Sequence, residues 1–381
     1  MPQIHTHPNP DLDMNGDVLP GWNQPENRRR SFHNLQQTAR YALSFRAAQV
    51  MTLKRNQSVA IADRSDVAAL TALPWFSAMV VLRGAEVIFE RYAPDFGPSC
   101  AHSVMSISKT VLNLLIGRLV ADGKIDLGQM VDAYLPWIGP GYAKATVQQV
   151  LNMDVTNDYT EDYTDPASRC FDHERSVGYR LPLAGAAEGS MKGFLASISF
   201  APGSSDCQNR TGIAQYRSAN TDVLACIVEA VTKRPAASFY ADIADAAGIE
   251  GVLNVTCDRS GFPLADGGIC LTARDLARYG MIFARNGTGV NGEPIGAAAF
   301  ISQTLASGVP MSSPRQWLRY SNQTNTDGHW LGHGGYGGQY LLVNPATQTV
   351  CVFFSVLEND AAYDPAYYVR IIRMFDDIAR S

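Results

Sequence analysis

Apolar positions recur at helical spacing over residues 34–48 and again, briefly, over 66–71. The period then shortens to that of strands. Residues 78–82, Ala-Met-Val-Val-Leu, and 87–92, Val-Ile-Phe-Glu-Arg-Tyr, flank Arg83-Gly84-Ala85-Glu86 and predict a β-hairpin. A matching pair of β-rich runs, 339–343 and 349–356, comes only near the other end of the chain, around the turn Asn344-Pro345-Ala346-Thr347. Between the two pairs the spacing is helical over 111–121, about 147–153, 220–233, 236–247 and 273–285, where Thr272 is placed to cap the last helix. An amphipathic stretch over 365–378 closes the pattern. Strands at both ends with helices between them predict an α+β fold, in which distant halves of the chain complete one antiparallel sheet. On this reading residues 1–30 are an extended arm, 31–100 and 272–381 form a discontinuous α/β domain, and 101–271 form an inserted, mainly helical domain. A cleft is expected where the two meet.

Composition narrows the class. With 381 residues, 46% hydrophobic and 18% charged, the chain can bury a large core. A net charge of -5 offers no basic footprint for nucleic acid or an anionic membrane. The seven cysteines are an odd count without close pairs, which argues against both a disulfide framework and a Cys-x-x-Cys metal site. Residues 1–25 are polar, carry five prolines and lack the apolar core of a signal peptide, so a cytoplasmic location is expected, with no membrane partner. Asp11-Leu12-Asp13-Met14-Asn15-Gly16 resembles the head of a calcium loop, but Trp22 stands where a bidentate glutamate belongs, and a plain Asx turn is preferred. His5 and His7 lack the further ligands of a metal site, so none is expected.

Three stretches carry candidate chemistry. Ser106 and Lys109 lie three residues apart at the entrance of the 111–121 helix, so hydroxyl and amine share a face, and free N–H groups at a helix start suit a developing oxyanion. Tyr216-Arg217-Ser218-Ala219-Asn220 stands at the entrance of another apolar helix. His333-Gly334-Gly335-Tyr336-Gly337-Gly338-Gln339 opens the C-terminal strand with four glycines, as expected where a ligand or another backbone approaches closely, with the Tyr336 N–H facing a substrate carbonyl. Each stretch alone has a plain structural reading. Ser106 could merely cap a helix with Lys109 in solvent, Ser218 or Asn220 could be a cap with Tyr216 packed beside it, and the glycines could form a flexible loop.

In this order and at these separations, the three stretches resemble the boxes of the superfamily of class C β-lactamases, D-Ala-D-Ala carboxypeptidases and esterases: Ser-x-x-Lys, Tyr-x-Asn and a Lys/His-x-Gly strand. The chain is most similar to the 6-aminohexanoate-dimer (nylon-oligomer) hydrolases within it. That likeness is carried by residues 105–109, 157–168, Tyr216 with 218–225, 271–278, and the arm Gly21-Trp22-Asn23-Gln24-Pro25. The resemblance implies a serine hydrolase with Ser106 as the acylated nucleophile, Lys109 as its base and Tyr216 as proton donor to the leaving group. The N–H groups of Ser106 and Tyr336 would form the oxyanion hole, and Tyr163, Glu174, Ser218, Asp266, His333 and Gly335 would contact substrate. Tyr163 would close over a bound amide and Glu174 would face an ammonium end. Lys109 would be kept neutral by burial and a neighbouring positive charge. Ser218 in place of the usual asparagine and His333 in place of the usual lysine count against β-lactams. The substrate expected is a small linear amide or ester, with no cofactor. Alternatives are a carboxylesterase of short-chain esters, a β-lactamase or D-Ala-D-Ala peptidase, and a catalytically silent ligand-binding homologue. The chain could pair as a homodimer.

Overall fold

The computed structural model describes residues 19–381. The Asp11 loop, His5 and His7 lie outside the described residues. Thirteen strands are β1 Ala42–Phe45, β2 Lys54–Arg55, β3 Phe76–Arg83, β4 Glu86–Tyr92, β5 His102–Ser103, β6 Leu253–Thr256, β7 Ile269–Leu271, β8 Val309–Pro310, β9 Arg319–Ser321, β10 Thr324–Thr326, β11 Leu331–Gly335, β12 Gln339–Asn344 and β13 Thr349–Ser355. The principal helices are α1 Pro25–His33, α2 Thr110–Ala121, α3 Ala219–Thr232, α4 Ser238–Ala247, α5 Ala273–Ala284 and α6 Pro365–Arg380.

Nine strands form the main sheet in the order β2-β4-β3-β13-β12-β11-β10-β9-β8. All neighbours are antiparallel except β2 and β4. The two chain ends meet at its centre, where β3 pairs with β13 in a register that sets Val80 opposite Val352 and Val81 opposite Cys351. Both faces of this centre are covered. Ala78, Val80, Leu82, Val350, Val352 and Phe354 enter one core, which α5 helps to fill, while Phe76, Met79, Val81, Cys351 and Phe353 enter the other, beneath α6. That is why the sequence shows unbroken apolar runs here instead of strict alternation. Among the described residues no helix is long and apolar enough to cross a membrane.

A second sheet, β1-β6-β7-β5, ties the N-terminal segment to the helical region and leads from β5 directly into the Ser106 turn. It also corrects the helix expected over 34–48. The helix there is only Leu35–Thr38, and Ala42–Phe45 is an edge strand paired with β6, Ala42 opposite Thr256 and Phe45 opposite Leu253. Pairing with a partner more than two hundred residues away overrides the local spacing. The arm expected to be extended to residue 30 already turns helical at Pro25, a residue suited to the first turn of a helix. The buried Arg28 ties that helix down by donating to the carbonyls of Leu357 and Asn359, both at 2.7 Å.

Candidate active site

Ser106 lies at the entrance of α2, on a separate 3-10 turn, Met105–Lys109, that ends where α2 begins at Thr110. Met105 has φ +48°, a left-handed conformation that non-glycine residues adopt only when their surroundings impose it. The constraint comes from two sides. β7 pairs with β5 immediately before the turn, and β11 packs against the turn itself. At Gly335 a Cβ atom would stand 2.4 Å from the Val104 carbonyl oxygen, so this glycine exists to let one backbone reach another.

Lys109 is fully buried, and its Nζ has three partners: Ser106 Oγ at 3.0 Å, Ser218 Oγ at 2.9 Å and the Asp266 carbonyl oxygen at 2.8 Å. As an ammonium it donates to all three. As a neutral amine it donates to Ser218 and Asp266 and accepts the Ser106 hydroxyl proton. The positive neighbour expected beside it is not found among the described residues. The nearest charge is the Asp266 carboxylate, whose Oδ2 is 3.5 Å from Nζ, because the 265–268 loop folds over the amine. Ser218 caps nothing: its hydroxyl receives Lys109 and its N–H donates to Glu161 Oε1. Asn220 is likewise occupied inside the fold, accepting from the Tyr142 hydroxyl at 2.8 Å.

The Tyr216 ring lies over Lys109 Nζ, 5.1 Å from its centroid, and packs edge-on against Tyr320. Its hydroxyl is held well above the usual phenol range by desolvation and by the Glu161 carboxylate, against which contact with Ser106 acts. His333, whose ring centroid lies 6.0 Å from that of Tyr216, is buried in β11. One ring nitrogen is 2.6 Å from the Gly334 carbonyl oxygen and the other 3.2 Å from the Tyr320 hydroxyl. Burial, and then the charge of Lys109, push it down to about 3, so His333 is a neutral ring with both nitrogens engaged and does not stand in for a substrate-binding cation.

The glycine-rich stretch is a hairpin and not the opening of a single strand. β11 ends at Gly335, Tyr336 begins the turn, and Gly337 and Gly338, with φ +90° and +104°, close it. The N–H groups of Ser106 and Tyr336 are untaken by hydrogen bonds within the described residues. The Tyr336 hydroxyl accepts from Asn23 Nδ2 at 3.1 Å, which brings the N-terminal segment to the cleft, and its ring lies 5.6 Å from that of Tyr163. Tyr163 is 42% exposed. Glu174, expected to face a substrate cation, is already paired with Arg180, and burial raises its carboxyl above the usual range despite that partner.

These residues surround one cavity of about 710 Å³. Ser106, Tyr163, Glu174, Tyr216, Ser218, Asp266, His333, Gly335 and Tyr336 all line it, and Lys109 lies just beneath. Two further lining residues are Glu161, which lies within the 157–168 stretch but to which the resemblance gives no role, and Arg315, which no motif singles out in the sequence. Behind Asp266 lie His173 and Asp222, with His173 Nε2 3.0 Å from Asp222 Oδ2 and all three residues offering ligand atoms within 4.8 Å of one another. The group is a poor cation site. Asp222 is engaged by His173 and by the Ala265 N–H, His173 also meets the Tyr159 hydroxyl, and Asp266 faces an amine.

A model of the beta-lactamase family matches residues 72–372, with the Ser106 turn, Tyr216 and the β11 hairpin all inside the match. The chain belongs to the beta-lactamase family. It is 36% identical over 295 residues to the 6-aminohexanoate-dimer hydrolase of Paenarthrobacter ureafaciens, covering 73% of this chain and 72% of that one. Its fold matches that of a Bacillus anthracis protein provisionally assigned as a 6-aminohexanoate-dimer hydrolase, with a TM-score of 0.78 at 21% identity over 94% and 95% of the two chains. It also matches EstCE1, a hydrolase with promiscuous acyltransferase activity, with a TM-score of 0.62 at 15% identity over 84% of this chain and all of that one. The α+β sheet of joined chain ends is thus the family's fold, and the protein is a beta-lactamase-family hydrolase that resembles 6-aminohexanoate-dimer hydrolase.

Proposed function

We propose that the protein is a serine hydrolase of linear amides and esters that works through an acyl-enzyme on Ser106. The observation that carries this reading is the buried Lys109 amine bonded to both the Ser106 and Ser218 hydroxyls, with Tyr216 over it and two untaken N–H groups beside it. Lys109 takes the Ser106 proton as Oγ bonds to the substrate carbonyl carbon. The oxygen of that carbonyl becomes an oxyanion between the Ser106 and Tyr336 N–H groups. When the bond from carbon to the leaving nitrogen or oxygen breaks, Tyr216 gives the leaving atom its proton and is reprotonated from Lys109. Water then repeats the sequence on the ester and restores the Ser106 hydroxyl. Asp266 balances the ammonium that Lys109 becomes midway.

A fluorophosphonate tests this directly. Intact-protein mass spectrometry should show one adduct, peptide mapping should place it on Ser106, and Ser106→Ala should take up none. An unlabelled wild-type protein, or a label on another serine, would sink the assignment.

A further inference from the structure

The turn that carries the Tyr336 N–H is gripped from two directions. On one side lies the 357–362 loop: the Gly337 N–H donates to the Ala362 carbonyl at 3.0 Å, and the Leu357 N–H donates back to the Gly337 carbonyl at 2.8 Å. On the other lies the N-terminal segment, whose Trp22 and Asn23 line the cavity. Asn23 Nδ2 donates to the Tyr336 hydroxyl at 3.1 Å, and the Phe32 ring lies 6.2 Å from that of Tyr336. A Cβ atom at Gly337 would run into the Phe32 ring, so glycine is required there by the approach of α1 as well as by its φ of +90°.

One side chain joins the two grips. The buried Arg28 guanidinium donates to the Leu357 and Asn359 carbonyls, and on its other edge to the Asn23 carbonyl at 2.8 Å and Asn23 Oδ1 at 3.0 Å. Among the described residues no carboxylate bonds to it. Burying a charge on neutral acceptors alone is costly, and burial lowers the affinity of this guanidinium for its proton. Trp22 and Phe32 already bury the segment in the core, so anchoring does not call for that charge. What a planar fork adds is a fixed distance and angle between Asn23 and the 357–360 loop, the two supports of the Tyr336 turn.

We propose that Asn23 and Arg28 are positioning residues for the oxyanion hole, through which the N-terminal segment holds the Tyr336 N–H where the substrate carbonyl oxygen gains its charge. This role rests on the reading of that N–H as an oxyanion donor. Because Asn23 lines the cavity, its rival role is direct contact with substrate, and the two fail differently. A displaced oxyanion donor weakens the transition state and spares substrate binding, whereas a lost substrate contact weakens both.

The half-buried Asn23 is the residue to change first. On a chromogenic anilide, where amide cleavage is the slow step, Asn23→Ala should lower kcat about tenfold and leave KM within about twofold of wild type. A trifluoromethyl ketone with the same acyl group gives a second readout. Ser106 Oγ adds to its carbonyl carbon, the carbonyl electron pair moves to oxygen, and the serine proton passes to Lys109, which leaves an oxyanion in the hole. Its inhibition constant should rise about tenfold in Asn23→Ala, while the anilide should bind Ser106→Ala protein within about twofold whether or not Asn23→Ala is added. Combining Tyr336→Phe with Asn23→Ala should cost less than about twofold more, because both changes break one contact. Arg28→Lys keeps the charge without the fork and should lower kcat in the same pattern. A loss confined to KM, an unchanged ketone constant, losses that multiply in the double variant, or wild-type kcat in Asn23→Ala or Arg28→Lys would overturn the proposal. Fluorophosphonate labelling separates this failure from that of the reading beneath it. A labelled Ser106 with full kcat in Asn23→Ala removes only the positioning role, and an unlabelled Ser106 in the wild type removes the catalytic reading.

Discussion

The two walls of the cleft handle charge in opposite ways. On the helical side an amine, three carboxylates and an imidazole are bonded to one another or to backbone: Lys109 to Asp266, Glu161 to the Ser218 N–H, and His173 to Asp222. Burial there raises the Asp222 carboxyl. It also works to lower the His173 imidazole, but the hydrogen bond that its N–H donates to Asp222 and the charge of Asp266 outweigh it and leave His173 above its ordinary value. On the strand side the groups are backbone N–H donors, glycines and a neutral histidine, with Arg315 as the sole cation among the described residues. Protons can be exchanged on the first wall, while the second can only hold and orient. Substitutions on the two walls should therefore fail differently.

The largest effect is expected where the first wall loses its amine. Lys109→Met should cut kcat/KM for a chromogenic ester by roughly four orders of magnitude, because acceptor and donor roles disappear together. A loss below tenfold would show that some other group deprotonates Ser106. Next comes Tyr216→Phe, expected to cost on the order of a hundredfold or more on an anilide. The loss should be markedly smaller on an ester of a good leaving phenol, which departs without a proton. Equal losses on both substrates would make Tyr216 a packing residue, a role its contact with Tyr320 also permits.

Breaking the strand wall calls for a change of shape. Gly335→Ala places a methyl group 2.4 Å from the Val104 carbonyl oxygen, so either β11 or the Ser106 turn must move. A shift near 1 Å should lower turnover about tenfold to a hundredfold and destabilise the fold by about 1–3 kcal/mol. A variant with wild-type kinetics and melting temperature would show that the two backbones are not held against each other.

What could be read from sequence divides along the same lines. Ser106 and Lys109 were legible because the chemistry needs them one turn apart, a local demand on spacing. The runs 78–82 and 349–356 were legible because both faces of β3 and β13 are buried. β1 was not, since only pairing with β6 makes it a strand. The same holds for Asp266 as the partner of Lys109, for Glu161 on the Ser218 N–H and for Arg315, which depend on loops folded over the cleft from distant parts of the chain. The glycines of 334–338 announced a close approach but not its partner, which proves to be the Val104 carbonyl.

The smallest expected effect isolates the neutrality of the strand wall. His333 is held at about 3, while the same ring in the unfolded chain titrates near its ordinary value of about 6.5. Between those values the unfolded chain binds a proton that the folded chain refuses, so the stability due to His333 is complete at neutral pH and is lost as the pH falls. At pH 5 that loss is about 2 kcal/mol relative to neutral pH. Replacement by asparagine, which keeps an amide donor near the Gly334 carbonyl, should leave turnover within a few-fold of wild type. It should also remove close to one proton from the uptake that accompanies urea unfolding at pH 5. If the proton count is unchanged, His333 is already charged in the folded protein and the wall carries a second cation beside Arg315.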